Sequence, residues 1–366
     1  MEAYCDRHSN PATSRRIPAP MTASNSPSDA SKDAVAESDA VMIYRAVLAR
    51  NPSPNEIARF HASRSAGGTL DHLIKALCRS KEATQRQMPL FVPPGHFYSP
   101  IVDTASIRDK IPITRSPSLR HLPGIDIDLA EMERLWSHTL GPLARTTAFS
   151  EHPTDGARFH YANPAFGFGD AAILRAMILA LRPKRIVEVG SGYSSACMLD
   201  ALDEGRIQSD VLLIEPYPQL VKSLLRKTDL ARVRIEETQV QDVALPLFES
   251  LTGGDFLFID STHVAKTGSD VVYELNEILP RLAPGVFIHF HDIFYPFEYN
   301  YQWAITENRS WNEIYMLRSF LSFNNKFKIV FFNDMMAQLR KDELLSCCPD
   351  FFCNTGGSFW LKRVEK

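Results

Sequence analysis

The stretch VEVGSGYSS, residues 187–195, sets a carboxylate, Glu188, two positions before a glycine turn made by Gly190 and Gly192. Glycines let a chain turn tightly and let a ligand approach with no Cβ in the way. Further acids recur at comparable places. Glu215 ends LLIEP, Asp242 sits in VQDV beside Gln241, and Asp260 ends FLFID. Such a row of anions suits a guest carrying a positive charge and a diol, because charge-assisted hydrogen bonds to those groups are strong. Downstream, IDSTH supplies His263, and IHFHDIF supplies His289, His291 and Asp292. Imidazole titrates near neutral pH, so His263 or His291 can act as general base toward a reacting hydroxyl. Asp292 is then an orienting partner or a second base. The competing account of the same cluster is a transition metal held by Asp260, His263, His291 and Asp292.

These residues need elements that bring them together. From about residue 170 the chain alternates apolar runs with helical periodicity: RIVEVG, VLLIEP, RVRIEE, DFLFIDS and GVFIHFHD read as strands with helices between them. The runs are continuous rather than alternating, as expected for a parallel sheet covered on both faces. Ser194 reads as the N-cap of the helix after the glycine turn, and Gly205 as its end. A helix near 310–323, a strand FKIVFF, a loop and a strand GGSFWLKRV complete the pattern. Open sheets of this kind bind ligands beyond the carboxyl ends of their strands. Glu188, Glu215, Asp242 and Asp260 belong there.

Two cofactor classes use a glycine turn at the first strand. A dinucleotide needs a third glycine, where Ser195 stands, and would set pyrophosphate close to Glu188. S-adenosylmethionine (SAM) has no phosphate. It has an α-amino group, a ribose diol and a sulfonium, so the acids become assets. On this reading Glu188 serves the methionine end, Glu215 the ribose hydroxyls and Asp242 the adenine amino group. Asp260 lies near the reacting centre. Gly190, Ser191, Gly192, Tyr193 and Ser194 form the turn around the cofactor.

With VEVGSGYSS, LLIEP, FLFIDSTHVAKTGSDV and LPRLAPGVFIHFHDIF, the chain resembles class I SAM-dependent methyltransferases of the bacterial branch labelled Methyltransf_24. The likeness implies an α/β, Rossmann-like sheet of seven strands in the order 3-2-1-4-5-7-6, with the last strand antiparallel. It implies methyl transfer from SAM. Catechol-type relatives hold magnesium with an Asp after strand four and an Asp-Asn pair after strand five. Here the Asn position is Ile293, which leaves that oxygen set incomplete. A divalent metal is therefore not the favoured expectation. The alternatives left open are a NAD(P)-dependent oxidoreductase and a non-catalytic scaffold of the same fold.

Four regions are expected. Residues 1–38 are poor in large apolar side chains and read as a disordered tail. Residues 39–88 read as a helical module, with Val41, Tyr44 and Leu48 at helical spacing, Pro54 near a helix start and Thr69 as an N-cap. IYRAVLARNPSP, GGTLDHLI and the terminal SKE of this module resemble DUF4214-type repeats found beside glycan-modifying enzymes. That likeness implies a homo-oligomeric or docking role. Residues 89–165 form a linker and extension, of which the aromatics in 89–103 are expected to pack on the main domain, and 166–366 form the methyltransferase domain. The aromatic run after strand five, with Trp303 and Trp311, is either a packed lid or a platform for a planar or sugar acceptor.

A net charge of −3 over 366 residues leaves no electrostatic footprint for nucleic acid. No run is apolar enough to span a bilayer, and the six cysteines include no C-x-x-C pair, so a cytoplasmic location with reduced thiols is expected. A zinc site at Cys347, Cys348 and Cys353 fits no common spacing. The expected partner is a small-molecule or glycan acceptor.

Overall fold

A computed structural model describes residues 29–86, 91–111 and 121–365. The chain divides into two compact units, Met1–Pro93 and Pro94–Lys366.

The first unit is helical. Helix α1 runs Asp29–Leu48, α2 Pro54–Ser65, α3 Leu70–Cys78 and α4 Lys81–Arg86. Helix α1 begins ten residues inside the segment expected to be disordered, at Asp29. Its sequence there, DASKDAVAES, is alanine-rich and free of Pro and Gly, which favours helix even without apolar anchors. The rest of the expected tail lies outside the described residues. Pro54 opens α2 behind a Ser53–Glu56 capping box, and Thr69 caps α3 through the His72 amide. Tyr44, Leu48, Leu77 and Ala83 form a small core. Arg50 ties the unit together, donating to both carboxyl oxygens of Glu56 and of Glu82 at 2.7 to 2.9 Å.

The second unit is α/β. Its sheet runs β1 Arg185–Val189, β2 Asp210–Ile214, β3 Val233–Glu236, β4 Phe256–Ile259, β5 Phe287–Phe290, β6 Phe327–Phe332 and β7 Phe359–Arg363. The order is β3-β2-β1-β4-β5-β7-β6. Strands β1 to β5 are parallel, and β7 is antiparallel to both β5 and β6. The order and the reversed β7 match the expectation. Every residue of β4 and β5 is buried, because helices cover both faces. Phe256, Phe258 and Phe290 are fully buried, each contributing about 1.5–3 kcal/mol relative to exposure.

Four helices matter for the site: α5 Leu129–Leu135, α6 Phe168–Leu181, α7 Tyr193–Glu204 and α8 Glu313–Leu321. Helix α6 is buried continuously from Gly169 to Ile178, which accounts for its nearly uniform apolar sequence. Between β6 and β7 the expected loop contains two helices, Asn333–Leu339 and Lys341–Cys347. They bury Met335, Met336 and Leu344. Two residues of the preceding extension depart from expectation: Phe97 and Tyr98 are 81% and 68% exposed, their rings tilted against each other on a turn. Nearby the Val102 amide donates to Ser310 Oγ, and further along the extension Trp136 and Phe159 are buried in the main core. No described helix is long and apolar enough to cross a membrane.

Candidate active site

The turn after β1 is built around Gly190. Its φ is +79°, and a Cβ there would lie 1.8 Å from the Asp260 carbonyl oxygen. The Asp260 amide in turn donates to the Val189 carbonyl at 2.9 Å. Only glycine fits, so the end of β1 is locked to the end of β4. Gly192 is less constrained, facing only the flexible Leu220 side chain at 3.2 Å.

A cleft of about 410 Å³ opens at these strand ends, lined by Gly190, Glu215, Tyr217, Gln239, Gln241, Asp260 and their neighbours. Glu215 is held by the amides of Ser191 at 3.2 Å and Tyr217 at 2.8 Å. It has no cationic side chain within ion-pair distance among the described residues. Gln241 donates to the Gly268 carbonyl at 2.9 Å and stays at the cleft wall. Lys266 contributes the cleft's one cationic side chain, against Glu215, Asp260 and Asp270.

Two of the expected cofactor acids are placed elsewhere. Glu188 is fully buried behind the turn, each oxygen accepting 2.5 Å hydrogen bonds from Ser194 Oγ and Ser195 Oγ. Burial pushes its carboxyl up to about 8, with the two serines pulling the other way. Its role in the structure is to fasten the start of α7 to β1. Ser194 is therefore not the helix cap: Gly192 occupies that position, and its amide donates to Ser195 Oγ at 3.1 Å. Asp242 ends a 3₁₀ turn, Val240–Asp242, and is exposed outside the cleft lining. Tyr193 is half-buried, edge-on to His160 at 5.7 Å.

These bonds bear on the dinucleotide alternative. Pyrophosphate at such a turn is held by the free amides that begin the helix. Here the Ser191 and Gly192 amides already donate to Glu215 and Ser195. Two amides of the turn are thus taken by the chain's own acceptors.

Beyond Asp260 the site changes character. Asp260 faces His263 Nε2 at 3.5 Å, and Asp292 Oδ2 faces the same nitrogen at 3.6 Å. Asp292 Oδ1 lies 3.6 Å from His291 Nε2, which also faces Asp170 Oδ2 at 3.9 Å. Asp170 accepts from Ser358 Oγ at 2.6 Å, and Ser358 Oγ pairs with His289 Nε2 at 3.1 Å. The result is a string of alternating carboxyl and imidazole groups across the ends of β4, β5 and β7. Packing fixes the rings: His263 lies against Trp311 at 4.4 Å, His291 against Phe166 at 5.3 Å and His289 against Phe258 at 3.8 Å.

Protonation follows from this packing. Burial alone would lower both His263 and His291. The surrounding carboxyls more than reverse it, raising His291 to about 9 and His263 well above the ordinary range. Burial pushes Asp292 up to about 6, against the pull of His291 and His263. Burial also works to raise Asp260, but the same two imidazoles hold it below the usual carboxylate range. His289 is driven well below, first by burial and then by His291, so it is a neutral core residue. Among the described residues no His, Cys, Asp and Glu group is arranged to hold a metal. Ile293, at the position of the missing oxygen ligand, is fully buried.

The aromatic run resolves as a packed segment. Trp303, Trp311 and Tyr299 pack together, and Arg309 lies over both indoles at 4.0 and 4.5 Å. Three contributors were not singled out as site residues from sequence: Asp170, Ser358 and Glu313. Glu313 is the first residue of α8, and its Oε2 lies 2.7 Å from His263 Nδ1. Asp170 and Ser358 are 188 positions apart, a pairing only the sheet topology produces.

The chain is similar to several known proteins. Residues 187–293 match the family described as a methyltransferase domain, Methyltransf_24. An uncharacterized protein of Archaeoglobus fulgidus is 32% identical over 176 residues, covering 46% of this chain and 78% of that protein. Among solved structures, SAH-bound methyltransferase PaMTH1 of Podospora anserina is 13% identical, with TM-score 0.35, over 72% of this chain and 97% of that one. CmcI with magnesium and SAM is 16% identical, with TM-score 0.33, over 68% and 90%. The family match over residues 187–293, together with the strand order, gives this chain a methyltransferase domain. It belongs to the family it shares with the Archaeoglobus fulgidus protein.

Proposed function

We propose that the enzyme is O-directed, that it methylates a small hydroxyl acceptor such as a saccharide, and that Asp292 takes the acceptor's proton. SAM lies in the cleft, with Glu215 on the ribose diol and the Gly190 turn along its methionine end. Methyl transfer is a displacement in which SAM supplies the electrophile, so the chain must align the acceptor and remove one proton.

The observation that carries this reading is the placement of Asp292. Its side chain is more exposed than those of its two histidine neighbours, at 16% against 7% and 5% for His263 and His291, while Asp260, at 28%, is held below the usual carboxylate range and is the weaker proton acceptor. Its proton affinity, near 6, is the one tuned toward neutrality. The two histidines are held protonated and have no lone pair to offer at neutral pH. They serve to steady the carboxylate and the oxyanion developing beside it. The saccharide preference rests on the likeness of residues 39–88 to modules that accompany glycan-modifying enzymes. The aromatic run lends it no support, since Arg309 covers the indole faces.

The test is transfer of a deuterated methyl group from labelled SAM into a fractionated extract, read by mass spectrometry. A labelled methyl ether that disappears with Asp292→Asn supports the reading. Label on nitrogen or carbon, or an undiminished rate in Asp292→Asn, rejects it.

A further inference from the structure

Three carboxyl groups converge on one imidazole. Glu313 Oε2 faces His263 Nδ1 at 2.7 Å, while Asp260 Oδ1 and Asp292 Oδ2 face Nε2 at 3.5 and 3.6 Å. A neutral imidazole presents one donor and one acceptor, so a ring flanked by carboxyl oxygens at both nitrogens is matched only when both donate. The ring cannot turn away. Its backbone has a φ of +60°, uncommon for a residue other than glycine. Its carbonyl accepts from the Asn312 and Glu313 amides, both at 3.1 Å. Two residues on, the Ala265 amide donates to Asn312 Oδ1 at 2.6 Å, and Asn312 Nδ2 donates back to the Ala265 carbonyl at 3.2 Å. The start of α8 thus clasps the turn carrying His263, and Trp311 closes one face of the ring.

We propose that the His263 imidazolium is a resident cation occupying the space between Asp260 and Asp292 that a divalent metal would otherwise need, with Glu313 as the positioning residue that aims it. The proposal rests on the reading that methyl transfer takes place at this end of the cleft. Magnesium or manganese between two carboxylates demands oxygens at about 2.0–2.2 Å and further polar ligands around it. Here Nε2 stands between the two carboxyls, and the next side chain, Ile293, offers no ligand. Neutralising both carboxyls is the part of a metal's work that an imidazolium can do. A fourth carboxyl, Glu274, is close by and accepts from Ser261 Oγ at 3.1 Å. Burial and then Glu313 hold it in the protonated form.

The experiment uses the full chain with SAH bound and Mn²⁺ as the probe, read by electron paramagnetic resonance at pH 7. The wild type should take up no Mn²⁺ at this site. His263→Asn, which tolerates the left-handed backbone, should gain Mn²⁺ affinity at least tenfold, and adding Asp292→Asn should remove the gain. Wild-type binding that Asp292→Asn abolishes would overturn the proposal, as would a folded His263→Asn chain with no gain. If that variant does not fold, ¹⁵N-histidine spectra of the wild type decide. An imidazolium at His263 that Glu313→Gln moves toward the neutral ring supports the proposal, and a ring already neutral at pH 7 ends it. Calorimetry with SAH reads the cofactor site separately, so failure of that reading is visible as an absence of SAH binding.

Discussion

The two halves of the sheet's mouth treat their acids in opposite ways. Over β1 and β2, Glu215 is held by main-chain amides and meets no cationic side chain among the described residues. Over β4 and β5, Asp260, Asp292 and Asp170 each face an imidazole. One half presents uncompensated charge, which suits a guest that brings hydroxyl donors and its own positive charge. The other carries its counter-ions within the fold, which suits an uncharged hydroxyl that must lose a proton. On the proposed reading, acidic residues of the same type mark binding in one place and proton handling in the other. The difference lies in whether a cation is already present.

The comparison can be broken hardest at the residue joining the halves. Gly190→Ala should abolish SAM binding and lower the yield of folded protein, since its methyl would collide with the Asp260 carbonyl. Calorimetry and circular dichroism check both, and unchanged SAM affinity would show that the halves are not coupled. Asp292→Asn should leave SAM affinity within about threefold but slow methyl transfer by about 10²- to 10⁴-fold. The wild-type rate should rise with pH through about 6, as Asp292 ionises, and fall again above about 9, as His291 loses its proton. A pH–rate profile with no acid limb near 6 removes Asp292 as the base. Glu215→Ala should weaken SAM about 10- to 100-fold, the worth of hydrogen bonds to a charged group, while Asp242→Ala should change it less than about threefold. Equal effects at the two positions would mean that the cleft is not the adenosine site.

The smallest expected effect sharpens the division. Glu188→Gln should leave SAM affinity within about threefold, because that carboxyl faces serines and not the cleft. It should alter pH-dependent stability instead. A carboxyl whose folded pKa is raised, here from 4.5 to about 8, keeps its proton in the fold after the unfolded chain has lost it. Stability therefore falls as pH rises between those values, and Gln, which does not titrate, should flatten that fall. Chemical denaturation at pH 5 and pH 8 measures it.

The strands and the glycine turn at the sheet's mouth were legible because they leave local marks, whereas the sheet order came from the family resemblance. Continuous apolar runs gave the parallel strands, and Gly190 gave the turn. The roles of individual acids were less legible. Glu188 and Glu215 look alike in sequence, yet serine hydroxyls one helical turn away occupy the first. Asp242 falls on a 3₁₀ turn, where strand alternation no longer tells which way a side chain faces. The histidines were visible, but their charge was not: Glu313 lies 50 residues beyond His263 and Asp170 more than a hundred before His291. Local periodicity carries no trace of such pairings. The helices between β6 and β7 were missed because NDMMAQLRKDELLSCC offers no cap and breaks its own pattern at Arg340.

One knot away from the site has a practical consequence. Arg158 is buried, donating to Asp200 and Asp203 on α7 and to Asp229 beyond it. A shortened protein starting at residue 166, where the domain was expected to begin, would strip those three aspartates of a guanidinium that holds them in place. Removing one partner from a buried ionic cluster typically costs about 3–5 kcal/mol. The smallest piece that can be produced in stable form should therefore reach back past Arg158, well upstream of where the recognisable homology starts at residue 187.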